Sequence, residues 1–154
     1  MESHARLWSE FASLLRGLKD LNAHALEAAG VSCELAGAGV LGRLEMLGPV
    51  RLTDLAAALG LDPSSVSRQV TALERSGWVA REKDPDDLRA QRLHLTARGC
   101  EVVAVLRQAR VDALERVTPG WSAADLDALT HQLGRLNTEI EAHRHRLGTR
   151  LENA

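Results

Sequence analysis

Aromatic side chains are nearly missing from this chain of 154 residues: Trp8, Phe11, Trp78 and Trp121 are the whole set, and there is no tyrosine. The core must therefore come from Leu, Val and Ala, a composition that favours helices. Only two cysteines are present, Cys33 and Cys100. Two cysteines exclude a disulfide scaffold, make no metal-ligand spacing and fit a reducing compartment. No apolar run approaches the roughly 18 residues of a helical membrane span. The start, Met1-Glu2-Ser3-His4-Ala5-Arg6, has no hydrophobic segment of the kind a secretory signal carries. A cytoplasmic location is the expectation, with no membrane partner. Lysine is also scarce, 2 against 17 arginines, a bias that reflects a GC-rich and hence bacterial gene rather than any physical need.

The net charge of −2 argues against nucleic acid until its distribution is considered. Residues 64–98 hold seven basic side chains (Arg68, Arg75, Arg81, Lys83, Arg89, Arg92, Arg98) against five acidic ones (Glu74, Glu82, Asp84, Asp86, Asp87). That segment is positive by two, and the remainder is negative by four.

Along residues 4–28, Leu7, Phe11, Leu14, Leu18, Leu21 and Ala25 recur at threes and fours, the stripe of one helix, which Gly30 ends. A second helix runs from about Glu34 to Leu47 and stops at Gly48-Pro49. Its glycines at 37, 39 and 42 weaken it intrinsically and allow close packing or room for a ligand. Leu52 to Leu59 is a short helix with Thr53 as its expected cap, and Gly60-Leu61 is a turn. Asp62 caps the next helix, with Pro63 at its first position, where a missing N–H costs nothing. From Pro63 to Ser76, Val66, Val70 and Leu73 point inward. Ser64, Ser65, Ser67, Arg68, Gln69, Thr71 and Arg75 are left mostly outward.

Trp78 to Glu82 and Gln91 to Leu95 alternate apolar with polar, as half-buried strands do, around an Asp84-Pro85-Asp86-Asp87 turn. A helix from Arg98 to about Val117 follows, broken by Pro119-Gly120. Ser122 then caps a last helix whose Leu126, Leu129, Leu133, Leu136, Ile140 and Leu147 keep near-heptad spacing. The order predicts a mainly α protein with a small β wing, a winged helix-turn-helix flanked by long helices at both ends. Such a lobe places one helix in a groove of DNA. The end helices carry more apolar stripe than the lobe can cover, so a second copy is the natural cover. The bland alternative is that the two pack on each other within one chain.

The segment Leu55-Ala56-Ala57-Ala58-Leu59-Gly60, Ser65-Val66-Ser67-Arg68-Gln69-Val70, Leu73-Glu74-Arg75-Ser76-Gly77-Trp78-Val79, then Asp84-Pro85-Asp86-Asp87-Leu88-Arg89 and Leu93-His94-Leu95-Thr96-Ala97-Arg98-Gly99 resembles the MarR (multiple antibiotic resistance regulator) family. By motif the resemblance covers about residues 35–117, and by helix order the whole chain. It implies one domain over 1–154, with dimerisation helices at about 4–28 and 98–147 and a DNA-binding lobe at about 34–96. It implies a homodimeric regulator, usually a repressor, that binds a double-stranded operator and often releases it to a small aromatic or phenolic molecule. Carried over by position, Ser65, Ser67, Arg68 and Gln69 meet base edges or phosphates in the major groove, with Thr71 and Arg75 on the same face. Ser64 and Ser65 are phosphate anchors at the helix N-terminus. Asp87 and Arg89 match an Asp-x-Arg wing motif whose arginine enters the minor groove. The chain departs from the family at Leu88, where a second arginine is common.

An effector pocket between the first helix, the second and the one after the wing would draw on Trp8, Phe11, Leu15, Arg16, Leu41, Arg43 and Arg107, an arginine pairing with a carboxylate ligand. Each is more often plain core or surface. Cys100, in a helix's first turn, and Cys33 invite a redox reading, although the family's peroxide sensors place their cysteine in the first helix. Cys33 with Glu27 and Glu45 loosely resembles a zinc-sensing branch. The helix after the wing supplies no histidine, however, and His143 and His145, two apart, cannot share a metal. Neither metal nor cofactor is expected. An enzyme would need a nucleophile with a base or a phosphate loop, and neither is present. A winged helix used only for protein contacts is the remaining alternative, and it makes Arg68 and Arg89 dispensable.

Overall fold

The computed structural model describes residues 2–31 and 35–152, the side chains of 35, 36 and 144–152 excepted. In chain order the elements are α1 (Glu2–Ala28), α2 (Leu35–Leu47), β1 (Val50–Arg51), α3 (Leu52–Leu59), α4 (Pro63–Arg75), β2 (Val79–Lys83), β3 (Gln91–Leu95), α5 (Ala97–Val117) and α6 (Ala123–Glu152). The mainly helical architecture with a small wing is therefore the one the periodicities predict. By internal contacts the chain divides into two units, Met1–Glu115 and Arg116–Ala154.

The first unit holds the core. Leu41 and Leu44 of α2, Leu55 of α3, Val66 and Val70 of α4, Leu93 of β3 and Leu106 of α5 are all essentially inaccessible to water. The three expected inward positions of α4, Val66, Val70 and Leu73, all belong to this cluster. Its C-terminus closes as a Schellman motif. The Gly77 N–H reaches the Glu74 carbonyl at 2.9 Å, and the Trp78 N–H reaches that of Leu73 at 3.0 Å. Gly77 takes φ +73°, a conformation that only glycine enters freely. The chain is thereby turned into β2 with Trp78 buried.

The sheet has order β1-β3-β2, antiparallel throughout, with Val79 opposite Leu95, Arg81 opposite Leu93, and Arg51 opposite Arg92. Two expectations need correction. The N-cap of α3 is Arg51, not Thr53, and it makes no side-chain cap bond. The helix begins directly after β1, which puts Thr53 inside the first turn. The wing strand starts at Val79 rather than Trp78 and runs on to Lys83, because Trp78 belongs to the helix-ending turn. Strand β1 was not foreseen, since two residues are too short to show an alternation.

Thr96 seats α5 on the wing. Its hydroxyl donates to the Gly77 carbonyl at 2.7 Å and accepts the Gly99 N–H at 3.0 Å, while its own N–H donates to the Trp78 carbonyl. Backbone meets backbone so closely there that a Cβ on Gly99 would lie 2.0 Å from the Trp78 oxygen.

In the second unit, Ser122 and Asp125 form a reciprocal capping box at the start of α6. The Asp125 carboxylate accepts the Ser122 N–H at 2.9 Å and the Ser122 hydroxyl accepts the Asp125 N–H at 3.2 Å. Leu126, Leu129 and Ile140 of that helix are exposed, and so are Leu7, Leu14 and Leu18 of α1. The Leu147 and His145 side chains of the expected heptad and metal arguments, and Cys33, lie outside the described residues.

Gly99→Ala must push the Trp78 carbonyl aside, so it is expected to lower stability by about 1–3 kcal/mol, the range for an overpacked site. Urea unfolding checks this, and a midpoint equal to wild type would contradict the close approach of α5 to the wing.

Candidate nucleic-acid interface

Helix α4 starts on Asp62, whose carboxylate accepts the Ser64 hydroxyl at 2.6 Å and the Ser65 N–H at 2.8 Å. These bonds hold its carboxyl well below the usual carboxylate range. A fixed negative charge thus already occupies the helix N-terminus. Ser64 is exposed with its proton engaged, so a phosphate anchored there would have to displace the cap.

Beyond the first turn the outer face is open. Arg68, Thr71 and Arg75 are exposed, and Ser65, Ser67 and Gln69 are half-buried. Arg68 leans on the Ser65 hydroxyl at 3.3 Å, and the Thr71 hydroxyl donates back to the Ser67 carbonyl. The Gln69 Oε1 atom is out of reach of water and has no hydrogen-bond partner, an unfavourable state for an amide. Of the sequence-predicted major-groove residues, Arg68, Thr71 and Arg75 are thus fully on the open face, and Ser65, Ser67 and Gln69 flank it.

The wing is built on a buried carboxylate. Asp84 is the buried charged residue of the described chain, and its oxygens accept the Asp86 N–H at 2.9 Å, Arg51 Nε at 2.6 Å and Arg92 Nη2 at 3.1 Å. The Asp86 backbone bond, then the Arg51 and Arg92 guanidiniums, pull its pKa down to about 2 against the opposing effect of burial. Arg51, in turn, is raised, chiefly by its hydrogen bond to Asp84. Sequence reading took Asp84 only as a turn residue and missed both arginines. The available signal was the local pattern of a carboxylate two residues before a free N–H, the mark of an Asx turn.

At the tip, the Ala90 N–H donates to the Asp87 carbonyl at 2.8 Å and closes a turn. The Asp87 carboxylate accepts the Arg89 N–H at 3.1 Å and lies 3.9 Å from Arg51. Arg92 also pairs with Asp86 at 2.8 Å, and Arg81 ties β2 to α4 through Glu74 at 2.8 Å. This sorts the charges of the lobe. Glu74, Asp84, Asp86 and Asp87 all face an arginine of the fold. Among the described residues Arg68, Arg75, Lys83, Arg89 and Arg98 have no ion-pair partner. Glu82 faces only His94, at 3.8 Å, and Asp62 caps α4, so the lobe keeps acids as well; its unpaired arginines and lysine lie on α4, on the wing and at the start of α5.

The residues expected around an effector are not gathered in the same way. Trp8, Leu15 and Arg16 are exposed on α1 and Phe11 is half-buried. Leu41 is core. Arg43 donates to the Ala58 carbonyl at 2.7 Å, and Arg107 of α5 pairs with Glu45 of α2. A cavity of about 130 Å³ does lie against α1 and α5, walled by Leu18, Leu21, Asn22, Arg110 and Leu114, with Arg110 donating to Asn22 at 2.9 Å. None of the seven expected residues lines it. Cys100 is exposed, and no group of three or more metal-ligand side chains occurs among the described residues.

A capped helix with an open polar and cationic face, a Gly-closed exit and a salt-bridged three-stranded wing define a winged helix-turn-helix of the DNA-binding kind. Comparison with known proteins agrees. A sequence model described as "MarR family" matches residues 39–90. The HTH-type transcriptional regulator YxaD of Bacillus subtilis (strain 168) is 32% identical over 98 residues, 64% of this chain and 68% of that protein. A second from the same organism, YkoM, is 32% identical over 90 residues, 58% of each chain. Among solved structures, a MarR family protein from Bacillus stearothermophilus superposes with a TM-score of 0.81 at 21% identity, covering 91% of this chain and 96% of that one. RV1404 from Mycobacterium tuberculosis gives 0.77 at 24% identity, over 90% and 95%. The chain belongs to the MarR family and is a DNA-binding transcriptional regulator, not an enzyme.

Because the folded carboxyl of Asp84 titrates near 2, below its ordinary 3.8, its contribution to stability is present above pH 3.8 and is lost as pH falls toward 2. Asp84→Asn leaves two arginines facing a neutral amide. The variant is expected to unfold at lower urea at neutral pH and to lose less further stability across that acid window than wild type does. Equal acid sensitivity of the two proteins would show that Asp84 is not the titrating anchor.

Proposed function

We propose that the protein is a homodimeric repressor in the cytoplasm. It sets two copies of α4 into successive major grooves of a pseudo-palindromic operator, with centres about 34–36 Å apart. The observation that carries this reading is the placement of unpaired cations: Arg68 and Arg75 on α4 and Lys83 and Arg89 on the wing have no ion-pair partner among the described residues, whereas Glu74, Asp84, Asp86 and Asp87 each lie against an arginine of the fold. Ser65, Ser67 and Thr71 supply hydrogen bonds to base edges beside Arg68, Gln69 joins them once its buried Oε1 turns outward, and Ser64 lies at the helix entry. Arg89, steadied by Asp87, reaches the adjacent minor groove, where a narrow groove concentrates negative potential. The second copy is supported by the apolar side chains left exposed on α1 and α6, Trp8 at 76% and Leu15 at 68% among them.

Ligand response rests on the resemblance to the family. A small aromatic or phenolic molecule would release DNA only by binding the non-DNA conformation more tightly than the DNA-bound one. Trp8, Phe11, Leu15, Arg16, Leu41, Arg43 and Arg107 are the residues proposed for it, together with the Arg110 cavity. Oxidation at Cys100 or Cys33 is the competing trigger.

Arg89→Ala should weaken binding to a selected operator and reduce the slope of log affinity against log salt by about one phosphate contact. Fluorescence anisotropy over a salt series measures both. An unchanged affinity and slope would remove the wing from the interface and favour a protein-contact role. Repeating the titration with aromatic acids and with peroxide identifies the trigger as whichever releases the DNA.

A further inference from the structure

The wing tip carries a side chain that the charge argument leaves unexplained. Leu88 is 74% exposed and sits between Asp87 and Arg89. The Ala90-to-Asp87 hydrogen bond makes Leu88 and Arg89 the two corner residues of the closing turn. The Asp87 carboxylate grips the Arg89 N–H, the Asp84 N–H donates to the Ala90 carbonyl at 3.1 Å, and the buried Asp84 holds the loop's base. Leucine is not among the residues that favour such a corner, and this leucine is presented on a braced loop rather than a slack one.

We propose that Leu88 is a specificity-determining contact that packs against the sugar wall and floor of an A·T-rich minor groove while Arg89 beside it reads the groove's potential. The inference rests on the DNA-binding reading above. The occupant is argued from the neighbours: Arg89, next to Leu88, and Lys83 at the end of β2 are cations with no ion-pair partner among the described residues, while Asp84, Asp86 and Asp87 lie against Arg51 and Arg92, so the apolar group is presented directly beside a free guanidinium. One leucine is also far too small a patch to found a stable protein interface. A minor groove only about 6 Å wide fits the width of a single side chain. In G·C pairs the guanine amino group projects into that groove, where leucine offers it no acceptor. In A·T pairs the floor lacks that group. Intercalation is the less favourable arrangement, because unstacking a base step costs at least as much as burying one leucine returns. A second arginine at this position would add salt-dependent affinity, whereas Leu88 adds affinity that salt does not screen.

The test uses the full chain and a duplex selected from a random-sequence library, with the tract under the wing remade as A·T, G·C or inosine·cytosine. Inosine·cytosine keeps the major-groove pattern of G·C but lacks the minor-groove amino group. Wild type is expected to bind the A·T and inosine forms alike and the G·C form about fivefold more weakly. Leu88→Ala should lose about fivefold on the A·T form with its salt slope unchanged, and should show a smaller preference over G·C. Leu88→Arg should steepen the slope by about one phosphate. A Leu88→Ala protein with wild-type affinity and preference overturns the inference while leaving the regulator reading intact, as does a loss accompanied by a shallower salt slope. If wild type selects no duplex, the DNA-binding reading falls and this one with it.

Discussion

The buried carboxylate of Asp84 is the constraint on which the winged helix-turn-helix lobe depends. A charge without water must be met by partners, and here two arginines and a backbone N–H meet it. Arg51 comes from a two-residue strand just before α3, and Arg92 from the strand that returns from the wing. One side chain therefore fastens the wing loop to the sheet's far edge and to the start of the helix-turn-helix. The second consequence is electrostatic. Those two arginines lie against Asp84, Asp86 and Asp87, which leaves Arg89 at the tip without an ion-pair partner among the described residues, beside the exposed Leu88.

The rest of the lobe is arranged around that fastening. Arg81 and Glu74 link the first wing strand to α4, and the Schellman turn at Gly77 sets the angle between them. Thr96 and Gly99 then press α5 against the same corner through contacts that leave no room for a Cβ. Helix α4, the wing and α5 thus meet at Trp78. The long helices show the opposite condition, with apolar side chains on α1 and α6 exposed in their own units, which is the physical ground for proposing a second copy.

Much of this was legible in the residue order. Period-3.6 stripes located the helices, the Asp62-Pro63 start and Gly77 stop bounded α4, and alternation at Gln91 to Leu95 found the returning strand. The family resemblance supplied the wing motif, and Asp87 does hold the Arg89 N–H. Strand β1 was hidden because Val50-Arg51 is too short to have a period, and the cap assigned to Thr53 failed for the same reason. The Asp84 cluster was hidden because Arg51 and Arg92 are distant in sequence from its neighbours and meet it only through strand register. The effector set was the least legible part. Arginines and apolar residues at helical spacing look alike whether they line a cavity or, as with Arg43 and Arg107, tie one helix to another.

Hydroxyl-radical footprinting of wild type and Asp84→Asn on the same selected duplex tests most directly whether the buried charge holds the wing in its reading position. The account predicts two protected tracts about one helical turn apart, each flanked outside by a minor-groove tract that disappears in Asp84→Asn while the inner protection remains. Outer tracts that persist in the variant, or that never appear in wild type, would contradict it.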